Sequence, residues 1–196
     1  LKDMIESKAI NTVKLTEIYR QLEGSNIVNL AYQVNDDNLD IEIFSNKEDL
    51  VFYESDSNHI VDRIMEIAKE YKDDIEDFQI LAPMYKGLNG IDEINNRVQE
   101  IYNPKDKTKK ENKIGEVTFR ENDKVIQLTN MPDDNVYNGD IGLINRINLS
   151  PKKEVYIDFD SNVVKYTPSN FINFRLAYSI SIHKSQGSEF DVVVLP

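Results

Sequence analysis

Apolar residues in the first half of the chain recur at helical spacing, and short apolar runs separate these stretches. Ile27, Val28, Ala31 and Tyr32 predict a helix that Ser25 caps and that runs to about Val34. Ser57 is predicted to cap a second helix that runs through about Tyr71, and a third helix is predicted over roughly Ile91–Tyr102, ending before Pro104. Residues 1–8 resemble the tail of another helix.

Short apolar runs between these helices predict strands. Phe78–Ala82 is the strongest of them and is halted by Pro83. Leu50–Tyr53 is a second predicted strand, and Ile41–Phe44 is predicted to be short extended structure. Strands that alternate with helices are typical of βαβ units and therefore of a parallel sheet.

The pattern changes after Pro104. Residues 105–113 are charged and poor in apolar side chains, as expected of a connection, and from Val117 to about Asn170 the helical spacing disappears. Asn138-Gly139 and Asp160-Ser161-Asn162 supply turn residues between short apolar runs, so we expect a small β-barrel. The predicted strands are Val117–Phe119, Lys124–Leu128, Ile141–Ile147, Glu154–Phe159 and Val163–Tyr166.

Helical spacing returns over residues 174–184 and predicts a helix. Gly187 allows a sharp exit, and Phe190 to Leu195 reads as a fully buried strand of a parallel sheet. The polar cluster from His183 to Glu189 lies between them, where backbone amides and short side chains could contact a phosphate.

The predicted fold is therefore α/β, a parallel sheet with flanking helices that is interrupted by a small barrel. We expect the α/β domain over residues 1–113, the barrel over 114–170, and the final, truncated part of the α/β domain over 171–196. Residues 1–12 would be the tail of a preceding domain or a linker. The chain begins at Leu1 without Met and stops one residue after a predicted strand, so we expect a fragment of a longer protein.

Composition narrows the function classes. The formal net charge of −12 argues against a protein that coats nucleic acid with a broad basic face, although a narrow track of hydroxyls, amides and lysines remains compatible with it. There is no Cys, and His59 and His183 are the two histidines, so we expect no disulfide and no metal site. No apolar run reaches the roughly 20 residues that span a bilayer, and no signal peptide opens the chain, which favours a cytoplasmic protein without a membrane partner.

The segment Ala177-Tyr-Ser-Ile-Ser-Ile-His-Lys-Ser-Gln-Gly-Ser-Glu-Phe190 resembles motif V of superfamily 1 helicases. The form with Gln186 and Ser188 is most similar to the RecD-like superfamily 1B branch, the exodeoxyribonuclease V alpha subunits and their stand-alone relatives. Ser181 stands where the family has Thr and retains the hydroxyl. The resemblance implies a RecA-like second motor domain, 2A, with an SH3-like 2B insertion.

Three further stretches resemble the same branch in the family order. Lys14–Gln21 is similar to motif IV, Ile80–Asn95 to a strand-end loop that touches single-stranded DNA, and Phe119–Gln127 with Asn138–Gly142 to the SH3-like barrel. Without the resemblance, Arg20 would be an ordinary Arg at a helix end. Residues 83–89 would be a strand-to-helix connection in which Asn89 caps the next helix, and residues 105–113 would be a solvated linker.

The resemblance also implies roles for individual residues. Arg20 would reach the γ-phosphate of ATP as the catalytic arginine, because a planar and permanently charged guanidinium can hold phosphate oxygens at two points. Gln21, Gly187 and Glu189 would lie with it on the nucleotide side of the cleft. The residues that would face DNA are Pro83, Met84, Tyr85, Ser181, His183 and Lys184.

The motifs that are missing bear on activity. No Gly-x-x-x-x-Gly-Lys-Ser/Thr sequence and no convincing magnesium-holding acidic pair occurs. We therefore expect this polypeptide alone to hold no nucleotide tightly and to lack ATPase activity. The parent is expected to use ATP and Mg²⁺, to translocate 5′ to 3′ on single-stranded DNA and to unwind duplex in recombination and repair. Its partners would be the first motor domain and other subunits of an exodeoxyribonuclease complex.

Two other function classes are compatible with parts of the sequence. One is a non-catalytic α/β interaction module that presents its barrel to a partner protein. The other is a nuclease, which is disfavoured because no carboxylate cluster with a lysine at metal-site spacing stands out.

Overall fold

The computed structural model describes residues 2–13 and 24–196. Contacts divide the chain into two compact units, Leu1–Glu54 and Ser55–Pro196. Within the described ranges, no helix has the length and apolar character needed to cross a membrane.

The first unit contains α1 (Lys2–Glu6), α2 (Asn26–Asn35) and a 3₁₀ helix over Ile41–Phe44. α2 begins after Ser25, as predicted, but Ser25 does not cap its own helix. Its hydroxyl donates to Asp49 Oδ2 (2.9 Å), and the same oxygen accepts from the backbone N–H of Asn26 (2.8 Å). The side chain of Asn26, whose Nδ2 donates to Asp49 Oδ1 (2.7 Å), and the Ser25 hydroxyl lower the pKa of Asp49 to about 2. A carboxylate from a later loop therefore caps α2.

Two predictions in this unit are wrong. The Ile41–Phe44 segment is a 3₁₀ helix rather than extended, because the Asp40 carboxylate accepts from the backbone of Glu42 and fixes a turn. Leu50–Tyr53 has no regular structure, since no described strand lies beside it to pair with its backbone. The segment predicted as motif IV, with Arg20 and Gln21, lies outside the described residues.

The second unit begins with α3 (Ile60–Glu70), β1 (Phe78–Ala82) and α4 (Ile91–Tyr102). The predicted cap of α3 at Ser57 is wrong, because His59 occupies the capping position. Both helices bury their apolar faces, and β1 is the central strand of a three-stranded parallel sheet. Its neighbours are β9 (Ser179–Ser181) and β10 (Val192–Val194). The predicted parallel sheet is confirmed, and both partners of β1 come from the last part of the chain.

The barrel is built between α4 and β9. It contains a hairpin of β2 (Glu111–Ile114) and β3 (Val117–Arg120), and a five-stranded antiparallel sheet in the order β7-β6-β5-β4-β8. All five predicted strands occur with ends within one residue of the predicted ends. The five-stranded sheet comprises β4 (Lys124–Gln127), β5 (Ile141–Asn148), β6 (Glu154–Phe159), β7 (Asn162–Tyr166) and β8 (Phe174–Leu176).

The helix predicted over residues 174–184 is wrong. This segment forms β8, then β9, then a 3₁₀ helix over Ile182–Ser185. β8 fills the free edge of β4 in the barrel, and β9 fills one edge of β1. Available sheet edges therefore override a spacing that also fits a helix. The barrel sheet consequently extends beyond the boundary predicted at residue 170.

Two smaller predictions also differ from the structure. The segment predicted as a fully buried strand contributes three residues, Val192–Val194, which are half-buried or exposed because β10 lies at the sheet edge with β1 beside it. The charged connection over 105–113 ends in strand β2, which pairs with β3.

Asp123, immediately before β4, joins the barrel to α4. Its buried carboxylate accepts from Gln99 Nε2 (2.6 Å), Asn103 Nδ2 (2.6 Å), the backbone N–H of Arg120 (2.6 Å) and the Tyr178 hydroxyl (2.9 Å). Burial raises the pKa of Asp123, although these donors oppose the shift. One carboxylate thus connects a helix, the barrel and the segment that enters β9.

Lys124 makes the corresponding connection on the opposite side. Its side chain is 2% exposed, and Nζ donates to the carbonyl oxygens of Ile75 (2.8 Å), Glu76 (3.1 Å) and Phe78 (3.1 Å). Asp123 therefore holds the barrel to α4, and Lys124 holds it to the segment that enters β1.

Candidate nucleic-acid interface

Two loops lie side by side at the carboxyl edge of the parallel sheet. The last residue of β1, Ala82, is in register with Ser181, the last residue of β9. Pro83, Met84 and Tyr85 follow the first strand. His183 and Lys184 follow the second, within the 3₁₀ helix. The structure therefore brings the six residues predicted to face DNA to one edge, where α/β folds commonly bind ligands.

The loop after β1 folds back onto the first turn of α4. The carbonyl oxygens of Met84 and Tyr85 accept from the backbone N–H groups of Ile91 (2.8 Å) and Asp92 (3.1 Å). Gly90 permits this approach, since a Cβ atom there would lie 2.6 Å from the Tyr85 carbonyl oxygen. The side chains of Met84 and Tyr85 remain 57% and 41% exposed. Both side chains are therefore available to a ligand.

Asn95 of α4 fixes the position of β9. Its Nδ2 donates to the carbonyl oxygen of Ser179, and its Oδ1 accepts from the Ser179 N–H, both at 2.9 Å. The buried amide therefore satisfies the two backbone groups at the outer edge of β9 that a neighbouring strand would otherwise pair with. The helix predicted to be capped by Asn89 has Gly90 at the capping position, and Asn89 instead donates to the carbonyl oxygen of Ser57 (2.8 Å).

The 3₁₀ helix connects this edge to the barrel. The Ser185 hydroxyl donates to the carbonyl oxygen of Ile182 (2.8 Å) and closes the turn, while His183 is exposed. Lys184 Nζ donates to Oδ1 of Asn138 in the loop between β4 and β5. One predicted phosphate ligand therefore contacts the barrel.

Tyr85, Ser181 and Lys184 line a cavity of about 280 Å³ between the sheet edge, α4 and the barrel. Arg175 of β8 lines it too, and its guanidinium carbon lies 5.6 Å from the centre of the Tyr85 ring, within cation–π range. Sequence reasoning missed Arg175 because the segment was assigned to a helix. The available signal was the alternation Phe174-Arg175-Leu176, which is buried, exposed, buried in the structure.

Of the residues predicted for the nucleotide side, Arg20 and Gln21 lie outside the described residues, and Gly187 and Glu189 lie on one loop. Gly187 has φ +90° and is exposed, and Glu189 is exposed two residues later, on the loop that leads to β10. Ser188 and Phe190 of the same loop line a second cavity of about 610 Å³ beside the barrel. Among the residues that the structure describes, no three acidic or histidine side chains converge as they would around a metal ion.

Comparison with known proteins supports the sequence resemblance. Residues 94–159 match the SH3 domain of ATP-dependent RecD-like DNA helicases. The ATP-dependent RecD2 DNA helicase of Deinococcus radiodurans is 29% identical over 96% of this chain, which covers 25% of that protein. The RecBCD enzyme subunit RecD of Buchnera aphidicola subsp. Acyrthosiphon pisum is 30% identical over 65% of this chain and 21% of its own length. The chain thus spans about a quarter of these relatives.

Solved structures of Pif1 helicases share the fold. A structure describing unwinding of forked duplex DNA by two coordinating Pif1 helicases has a TM-score of 0.54 and 20% identity, over 93% of this chain and 43% of that one. Bacteroides Pif1 bound to single-stranded DNA has a TM-score of 0.51 and 18% identity, over 93% and 45%. The RecD-like resemblance and the predicted α/β fold with an SH3-like insertion are confirmed.

Proposed function

Because residues 94–159 match the SH3 domain of ATP-dependent RecD-like DNA helicases, we propose that this chain forms part of such a helicase and contacts single-stranded DNA. The observation that carries the proposal is the register of Ala82 with Ser181. It places Met84 and Tyr85 beside His183 and Lys184, so that stacking and charged groups share one edge.

The chemistry of this edge suits binding of single-stranded DNA without sequence specificity. An exposed Tyr85 ring can stack on any base, and a neighbouring methionine adds apolar contact. The hydroxyl of Ser181, the imidazole of His183 and the ammonium of Lys184 can donate to phosphate oxygens. Since the whole chain carries a net charge of −12, such binding is local and sensitive to salt.

We also propose that the intact helicase uses ATP. Arg20, Gln21, Gly187 and Glu189 are assigned to the nucleotide side, and the exposure of Gly187 and Glu189 leaves both accessible to a nucleotide. ATP, with Mg²⁺, would supply the hydrolysis that drives movement. The chain contains no Walker A motif, so this polypeptide alone is expected not to turn over ATP.

The remaining assignments belong to the same proposal. Residues 1–113 and 171–196 form the RecA-like 2A domain around the barrel of residues 114–170, with β8 joining the barrel sheet. The first motor domain of the helicase and other subunits of an exodeoxyribonuclease complex are the protein partners. Translocation runs 5′ to 3′, the duplex is unwound in recombination and repair, and the setting is the cytoplasm.

Fluorescence anisotropy of a labelled oligothymidylate, measured across a salt series, tests the DNA contact. Tyr85→Ala is expected to weaken binding about fivefold or more, because one stacked base is worth roughly 1–3 kcal/mol. Leu88→Ala is the matched control, since Leu88 lies on the same loop, is 74% exposed and carries no ring. His183→Ala should also weaken binding, whereas His59→Ala, at the other histidine, should not.

Binding that is absent or unchanged by salt would contradict the proposal and favour a protein-interaction module. Equal effects of Tyr85→Ala and Leu88→Ala would show that the loop contacts DNA without stacking. ATP hydrolysis by a clean preparation that falls with added salt would overturn the expected lack of ATPase activity.

A further inference from the structure

The cavity beside Tyr85 contains a buried hydroxyl with no partner. Ser179 lines this cavity and is 0% exposed, and its Oγ makes no hydrogen bond. Its backbone N–H and carbonyl are both satisfied by Asn95. A buried hydroxyl without a partner costs free energy, so a residue of this kind facing a cavity points to a ligand that completes it.

The walls of the cavity favour a small, flat and uncharged occupant. Ile91, Val117 and Ile126 contribute apolar surface, and Phe119 adds an aromatic ring. The volume of about 280 Å³ lies just below the range of roughly 300–1,000 Å³ that is typical of sites for larger ligands. Asp92 and Glu116 also line the cavity, and these carboxylates oppose entry of a free anion such as phosphate.

Two cationic side chains in the lining favour an occupant that is attached to phosphate. Arg175 lies over the Tyr85 ring, and Lys184 lines the same cavity. A guanidinium held against an aromatic face can bind a phosphate oxygen while the ring remains available for stacking. Two cations beside an apolar pocket therefore match a base inside and its phosphates outside.

We propose that this cavity takes one unstacked base of the single strand that passes over Met84 and Tyr85. Ser179 Oγ hydrogen-bonds the edge of the base, and Arg175 and Lys184 hold the phosphates on either side. Since a hydroxyl both donates and accepts, this pocket accommodates different bases. The inference rests on the proposed function and adds Ser179 and Arg175 to its DNA-contacting residues.

The test combines a DNA lesion with a protein substitution. Binding of labelled oligothymidylates that carry one abasic site at successive positions is measured by anisotropy. With the unsubstituted chain, one position should weaken binding about fivefold or more, as expected for loss of one well-held base. Ser179→Val removes the hydroxyl and adds methyl groups at the cavity wall, so in this variant the abasic site at that position should have little further effect. Ser169→Val, at an exposed serine, should retain the full abasic penalty.

A second substitution keeps the test informative if the Ser179→Val variant does not fold. Arg175→Ala alters an exposed side chain and should weaken binding of intact oligothymidylate, whereas Arg146→Ala should not. Arg146 is the matched control because its guanidinium carbon lies 4.2 Å from the Tyr156 ring centre, on another strand of the barrel.

The outcomes separate the two proposals. No binding by the unsubstituted chain would overturn both. Salt-sensitive binding with an equal penalty at every abasic position would overturn the base pocket and leave the proposed function standing. Competition by free thymidine monophosphate that Ser179→Val abolishes would show that the pocket takes a free nucleotide, and it would also overturn the base pocket.

Discussion

The hydroxyl of Tyr178 donates a hydrogen bond of 2.9 Å to Oδ1 of Asp123. This contact joins the segment that enters β9 to the residue immediately before β4. The Tyr178 ring also stacks on Tyr102, with centroids 5.9 Å apart. Burial raises the pKa of Tyr178 far above its ordinary value, so its hydroxyl keeps its proton and remains a donor.

Tyr178→Phe should lower the free energy of unfolding by about 1.5–3 kcal/mol, the usual worth of a hydrogen bond to a charged acceptor. The ring and its stacking are retained, so the loss reports the hydroxyl. Urea denaturation measures it. Tyr166→Phe removes a buried hydroxyl that donates to the neutral amide oxygen of Gln127, and it should cost less. Equal losses in the two variants would show that the charge of Asp123 contributes nothing to this contact.

Lys124 should make stability depend on pH in the alkaline range. Burial lowers the pKa of Lys124 from 10.5 to about 8, although Asp77 and Glu76 oppose the shift. Between these values the unfolded chain binds more protons than the folded chain, so the free energy of unfolding rises with pH. The cost of the buried charge is fully present below about pH 8 and is relieved above it.

Chemical denaturation at about pH 7.5 and about pH 9.5 measures this dependence, whose slope is at most about 1.4 kcal/mol per pH unit. Lys124→Met should remove the rise, while Lys113→Met, at an exposed lysine of β2, should retain it. A rise that is unchanged in Lys124→Met would assign it to another group.

The sequence predicts elements well where local signals agree. α4 is predicted to the residue because its apolar spacing ends before Pro104, and the barrel strands because alternation and turn residues bound each one. Residues 174–184 show the limit. Their apolar spacing fits a helix, and the deciding factor is the free edges of β4 and β1, which lie far away in the chain.

The candidate site was also predicted only in part, because contacts between distant parts of the chain decide which side chains meet there. The resemblance identified Tyr85 and Lys184, but their adjacency depends on the register of Ala82 with Ser181. Arg175 and Ser179 were missed because a helix would have placed them elsewhere. The assignment of Arg20 and Gln21 stays a prediction, since both lie outside the described residues.

Asn95→Ala should be strongly destabilising, by about 2–4 kcal/mol, because two buried backbone groups of Ser179 would lose their partners. Asn96→Ala, at the exposed neighbour on the same helix, should change the free energy of unfolding by less than about 0.5 kcal/mol. Urea denaturation compares the two variants. Similar small losses would mean that water replaces the amide at the edge of β9.

Gly142→Ala should destabilise the barrel. A Cβ atom at this position would lie 2.5 Å from the carbonyl oxygen of Asp158 and 2.8 Å from the Phe159 ring, so β5 and β6 would have to separate. Overpacking of this kind costs about 1–3 kcal/mol. Thermal unfolding followed by circular dichroism checks it against Asn145→Ala, at an exposed position of the same strand. A Gly142→Ala variant as stable as Asn145→Ala would contradict the close contact.

The central strand β1 receives both of its partners late. Residues 78–82 pair with 179–181 on one side and 192–194 on the other. During synthesis, β1 leaves the ribosome with two unpaired edges, and the entire barrel is translated before either edge can be covered. Unpaired edges are templates for pairing between chains, and domains fold as units during synthesis. A barrel that folds first would pair Val125 of β4 with Leu176 of β8 and shorten the loop that remains to be closed. The folded barrel would then help the late strands β9 and β10 to reach β1 and complete the α/β domain.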